Sequence, residues 1–179
     1  MRDVLLLIDV LSAFDHEQGE ELARDFRRAA PALEAALSRS RDAGIPVVYA
    51  NDIRDRWDGD GPGMIRRALA GRAGDVVGRV APREGEALIL KPRYSAFDLT
   101  PLSLLLEQLG AERLVTAGTA TEMCVAQSAI DARELGYKVT VLTDACASVD
   151  REMAGTALAY LERVVGVRLE AGALSTHSR

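Results

Sequence analysis

The chain has 179 residues, 48% hydrophobic and 4% aromatic, apolar material enough for one domain, residues 1–179, around an aliphatic core. Its 22 basic and 27 acidic residues leave a formal charge of -5 and are interspersed, which argues against nucleic acid or an anionic membrane as partner. No run reaches the roughly 18 apolar residues of a membrane span, residues 4–8 are too short for a signal peptide, and two cysteines make no disulfide scaffold, so a cytoplasmic location is expected.

Short β-rich runs alternate with amphipathic segments, which predicts an α/β fold: a three-layer, Rossmann-like sandwich with an open, mostly parallel sheet of five to six strands and helices on both faces. The first strand covers residues 4–10, a nearly continuous apolar run that demands burial on both faces and ends on Asp9. Helical periodicity follows the acids through Glu21, with Pro31 as a first-turn residue of a helix that runs to about residue 43 and stops at Gly44. A second strand is expected at 45–50, then a long polar loop, 51–63, with Trp57 and three glycines, and a short helix at 64–72.

The third strand, 86–91, ends on Lys91 before Pro92, which cannot continue a central ladder. A helix at 102–109 leads to a fourth strand at 114–117. Gly118-Thr119-Ala120 then turns the chain into a helix at 121–135, closed by Gly136. A strand at 137–142, a helix at 151–164 and a short strand at 167–169 complete the expected order.

Asp9 and Lys91 close two strands and Cys124 lies just beyond a third, where open α/β sheets place their sites. An acid, an ammonium and a thiol together supply a proton acceptor, a cation favouring thiolate and an attacking sulfur. Cys124 falls in the first turn of its helix, where free N–H groups and the helix dipole are expected to lower its pKa and to bind an oxyanion. Taken singly, each residue has a plainer reading: Cys124 a small buried hydrophobe, Asp9 a helix cap, Lys91 a chain snorkelling to the surface. One shared site is a simpler account than three separate accidents. Cys146, after Thr143-Asp144-Ala145, has no helix start beside it and reads as buried; His16 and His177 read as surface residues.

Four motifs carry a resemblance across nearly the whole chain: Leu6-Leu7-Ile8-Asp9 with Phe14; Gly44-Ile45-Pro46-Val47; Lys91-Pro92-Arg93-Tyr94-Ser95-Ala96-Phe97; and Gly118-Thr119-Ala120-Thr121-Glu122-Met123-Cys124-Val125. In order and spacing the sequence resembles the isochorismatase-like cysteine hydrolases, which include nicotinamidases, N-carbamoylsarcosine amidohydrolases and ureide-cleaving enzymes. The resemblance implies a triad of Asp9, Lys91 and Cys124, a cis peptide at Thr119-Ala120, and an oxyanion hole from the N–H groups of Ala120 and Cys124. It implies hydrolysis of an amide, ureide or related C–N bond of a small molecule through a thioester, with no cofactor, in a homo-oligomer, dimer or tetramer.

The departures are as informative. Nicotinamidases of this kind carry an Asp-x-His pair and a further histidine around a metal; here Arg54 stands two residues after Asp52, so no metal site and no nicotinamide substrate are expected. A glutamine common two residues after the family aspartate is Leu11. Phe14, Arg54, Trp57 and Tyr94 are the candidates for substrate contact, Arg54 facing a carboxylate, with solvated loop positions as the alternative for the last three. Competing functions are vinyl ether hydrolysis of the isochorismatase type and a non-catalytic metabolite-binding role. A haloacid dehalogenase phosphatase needs a second aspartate where Leu11 stands, and no Gly-x-Gly-x-x-Gly follows the first strand to hold a nucleotide.

Overall fold

In a computed structural model, which describes residues 1–53 and 56–171, the apolar run after Met1-Arg2 forms β1 (Asp3–Ile8). Val4, Leu6 and Ile8 face one hydrophobic core, Leu5 and Leu7 the other, so the alternation inherent in a strand builds two cores from one uninterrupted apolar stretch. The remaining strands are β2 (Val47–Asp52), β3 (Ala87–Lys91), β4 (Arg113–Thr119), β5 (Lys138–Ala147) and β6 (Arg168–Glu170). They form a fully parallel sheet in the order β3-β2-β1-β4-β5-β6, which reverses direction between β1 and β4. That reversal is the switch point where such sheets open a crevice.

The helices are α1 (Gly19–Asp42), α2 (Gly61–Leu69), α3 (Gly74–Val80), α4 (Leu102–Leu109), α5 (Ala126–Glu134) and α6 (Arg151–Tyr160). Residues of α1, α2 and α3 pack into the core of Leu5 and Leu7, and those of α4, α5 and α6 into that of Val4, Leu6 and Ile8. The layers are therefore helix, sheet, helix. No helix among the described residues is long and apolar enough to cross a membrane.

Four local expectations are corrected. Pro31 lies inside α1 rather than in its first turn. It is exposed, while Leu22, Phe26, Ala29, Ala30, Leu33 and Leu37 form a continuous buried stripe; that burial outweighs the roughly 3 kcal/mol an internal proline costs. The loop expected over 51–63 is shorter at both ends, since Asn51 and Asp52 extend β2 and the Asp60 carboxylate accepts the Gly63 N–H (2.7 Å) to start α2. Helix α3, too short for clear periodicity, was not expected from the sequence, although its Val76, Val77 and Val80 are all buried. Finally, β5 outlasts its expected end: a break in register between Thr116 and Gly118 lets it re-pair, with Cys146 opposite Gly118 and Ala147 opposite Thr119.

Gly118 lies against the end of β1. Its φ is +130°, and a Cβ there would lie 2.0 Å from the Ile8 carbonyl oxygen, so only glycine lets β4 close on the end of β1.

Candidate active site

The site begins where β1 ends. Asp9 adopts a left-handed backbone (φ 53°), which aspartate tolerates better than most residues, and its N–H donates to the Ala50 carbonyl (2.9 Å). Its carbonyl accepts from the Thr119 hydroxyl (3.1 Å), tying β1 to the turn after β4. One carboxylate oxygen accepts the Asp52 N–H at 2.7 Å; the other lies 2.9 Å from Lys91 Nζ.

Lys91 is fully buried, so its ammonium does not reach solvent. Its three protons find three partners: Asp9, the Arg93 carbonyl (3.0 Å) and Cys124 Sγ (3.5 Å). Burial works against the ammonium, but the Asp9 charge and its hydrogen bond outweigh it and hold the pKa above the ordinary lysine range. Burial pushes the Asp9 carboxyl up, against Lys91 and hydrogen bonds from Cys124, Lys91 and the Asp52 amide. Lys91 Nζ thus stands between the Asp9 carboxyl and the Cys124 sulfur as their shared partner.

Cys124 corrects one expectation. Its pKa is not lowered but pushed up to about 12, first by burial and then by the Asp9 charge, with Lys91 opposing both. The thiol is only 8% exposed, and its turn, Thr121–Val125, is a π-helical turn ahead of α5 rather than the first turn of an α-helix. Loss of hydration at that depth exceeds what the helix end and the ammonium return. The Thr119–Ala120 peptide immediately before the turn is cis.

A cavity of about 450 Å³ opens over this cluster and is lined by Asp9, Thr119, Ala120 and Cys124 on its floor. Trp57 and Tyr94, 79% and 58% exposed, stand on its walls. Phe14 does not: it is fully buried and packs on Phe26 with ring centroids 5.2 Å apart, because its left-handed backbone (φ 54°) turns the chain into the core before α1. Arg54 and His177 lie outside the described residues. His16, expected at the surface, lines the cavity, as do Arg56 and Arg67. Among the described residues, no group of three or more His, Cys, Asp or Glu could hold a metal ion.

Sequence reasoning missed Asn51. Buried at the end of β2, its side-chain oxygen accepts from Leu11 N–H (3.1 Å) and its amide donates to Leu11 O (3.0 Å), fixing the backbone two residues after Asp9. Its signal was a polar residue directly after the buried run Val47-Val48-Tyr49-Ala50. Ser128, one turn after the thiol, donates to Cys124 O (2.6 Å) and accepts from Ala96 N–H (2.9 Å), linking the Cys124 turn to the segment that follows Lys91.

Fold and site together define a class: a doubly wound α/β protein with an acid, an ammonium and a thiol at its switch point. The chain belongs to the isochorismatase family, whose domain matches residues 3–171, and is a hydrolase of that family. It is similar to YaaI, an isochorismatase family protein of Bacillus subtilis (29% identity, 90% of this chain and 89% of that protein). It is also similar to the ureidoacrylate amidohydrolase RutB of Cronobacter turicensis (30% identity, 80% of this chain and 74% of that protein). Among solved structures, the N-carbamoylsarcosine amidase of Thermoplasma acidophilum superposes with a TM-score of 0.75 at 25% identity, over 98% of this chain and 99% of that one.

Proposed function

We propose that the protein is a cysteine hydrolase that cleaves an amide or ureide C–N bond of a small metabolite through a thioester on Cys124. The observation that carries this reading is the position of Lys91 Nζ between the other two groups, 2.9 Å from the Asp9 carboxylate and 3.5 Å from Cys124 Sγ. With the thiol pushed up to about 12, little thiolate exists at neutral pH, so its proton must leave as the sulfur attacks. Asp9 is the acceptor: burial has made it a stronger base than an ordinary carboxylate, and it shares the Lys91 ammonium with the sulfur.

Sγ attacks the carbonyl carbon, and the oxyanion is received by the N–H groups of Ala120 and Cys124, a contribution of about 3 kcal/mol for such a donor. Asp9 returns the proton to the departing nitrogen, the C–N bond breaks, and a thioester remains. Water then gives its proton to Asp9 and attacks the thioester; the acid leaves and the thiol is restored. Lys91 keeps its proton throughout, offsetting the negative charge that passes between Asp9 and sulfur. The names of two similar proteins, a ureidoacrylate amidohydrolase and an N-carbamoylsarcosine amidase, make the ureido group the first substrate class to assay.

A panel of amides, ureides and isochorismate, assayed with wild type and Cys124→Ala, tests the proposal. One or more C–N substrates should be hydrolysed, with turnover and the acyl adduct in intact mass spectra both lost on mutation. Isochorismate conversion that persists without Cys124, or C–N hydrolysis that survives its loss, refutes the thioester route.

A further inference from the structure

The turn that carries Cys124 is held from one side by a single carboxylate, that of Glu122. Its Oε1 accepts the N–H groups of both Val149 (3.0 Å) and Asp150 (3.2 Å), just beyond β5. The neighbouring Thr121 hydroxyl donates to Ala147 O (3.0 Å), so the turn grips the segment 147–150 at three points. That segment is itself fixed to α1: Arg28 donates to Cys146 O (2.7 Å) and Ser148 N–H donates to the buried Asp25 carboxylate (2.9 Å), which also binds Arg28 and Arg151. A continuous path of hydrogen bonds thus runs from α1 through the end of β5 to the residue two places before the thiol.

Glu122 Oε2 is buried and has no hydrogen-bond partner among the described residues. An unmatched buried carboxylate oxygen is costly, so the two N–H bonds to Oε1 are what retain the side chain in this position. We infer that Glu122 is a positioning residue that sets Cys124 Sγ against Lys91 and Asp9, an inference that rests on Cys124 being the nucleophile. The contact it maintains is long, 3.5 Å from Sγ to Nζ, and a displacement of the turn by about 1 Å is enough to cost a hundredfold in rate. Because Val149 also lies on the cavity wall, the same bond fixes the wall relative to the thiol.

The test uses the full chain and whichever amide or ureide of the panel is hydrolysed. Glu122→Ala should lower kcat by about 100-fold with KM changed by less than about threefold. Glu122→Gln keeps an acceptor for both N–H groups and should restore most of that loss. Glu122→Asp keeps the charge but withdraws the acceptor by one methylene, and should lose about tenfold in kcat at little change in Tm. Asp150→Ala is the control for stability: it removes the carboxylate that caps α6 at Glu152 and Met153 N–H but keeps the backbone N–H that Glu122 holds, and should lower Tm without the kcat loss. The inference is overturned if Glu122→Ala and Glu122→Asp turn over at the wild-type rate while Cys124→Ala is inactive, or if the kcat of all variants follows Tm alone. Turnover by Cys124→Ala refutes the nucleophile itself, a distinct result that removes Glu122's role with it.

Discussion

Replacing Lys91 by Met keeps a stem of similar size and deletes the ammonium, leaving the 8% exposed Asp9 without its cation. At 2.9 Å and an effective dielectric constant of about 20, the pair attracts by roughly 6 kcal/mol. Part of that offsets the desolvation of two ions, and breaking a buried pair by removing one partner costs about 3–5 kcal/mol. The Asp52 N–H remains on the carboxylate at 2.7 Å, which places the expected loss at the lower end, about 3 kcal/mol at pH 8.

The loss should depend on pH with a definite sign. Burial already raises the Asp9 carboxyl above its ordinary range, and removing Lys91, the chief opposing influence, raises it further. A carboxyl raised in the folded state contributes stability below its unfolded value, and that contribution disappears as pH climbs through the folded value. Lys91→Met should therefore lie closer to wild type at pH 5 than at pH 8, because protonating Asp9 removes the unpaired buried charge. Denaturant melts followed by circular dichroism at both pH values, with Asp9→Asn and the double variant alongside, measure this directly. The double variant should be more stable at pH 8 than either single one. A Lys91→Met protein within about 1 kcal/mol of wild type at pH 8, or one equally destabilised at both pH values, would falsify the account of a mutually dependent buried pair.

Asp25 gives the opposite pH dependence. Burial opposes its charge, but the hydrogen bonds from Arg28, Ser148 N–H and Arg151 outweigh it and bring the carboxyl down to about 2 from an ordinary 3.8, a difference of about 2 kcal/mol. That stability is present above the unfolded value and is lost as pH falls from about 4 towards 2, so Asp25→Asn should flatten the acid limb of stability against pH; an unchanged limb counts against it. Alkylation of Cys124 by iodoacetamide should be slower than that of a free thiol at pH 7.5 and still rise beyond pH 9, while Cys146, 2% exposed and also pushed up to about 12, should label only on unfolding. A labelling rate that levels off below pH 8 contradicts the raised thiol. Asn51→Ala removes both bonds to Leu11 and should cost about 2–3 kcal/mol, with a fall in kcat because Leu11 lies two residues from Asp9; a stable variant of full activity would assign Asn51 no part in the site.

Most of the fold was legible because one-dimensional patterns suffice for it. The doubly apolar run of β1, the strand ending at Lys91, and the helix Leu102–Leu109 before Gly110 follow from alternation, breakers and caps. The failures have physical causes. Tertiary burial kept α1 helical through Pro31, α3 was too short to show a period, and β5 re-paired across an irregularity that depends on β4.

For the site, residue types and their places at strand ends were enough to select Asp9, Lys91 and Cys124 as candidates, since charged residues that close buried strands must converge on something. Phe14 was assigned to the pocket from its motif, but the motif does not say which way a left-handed turn aims the ring. Asn51, Glu122 and Ser128 tie the candidates to backbone groups far away in the chain, and no spacing rule connects position 51 to 11, 122 to 149, or 128 to 96.

The sequence by itself determined the chemistry available at the switch point, because residue type and strand order are properties of the chain. Only the tertiary structure decided how strongly each of those groups holds its proton. Hydration is lost or kept according to what packs around a group, and it is packing that holds Cys124 as a thiol, Asp9 as a strengthened base and Lys91 as their shared cation.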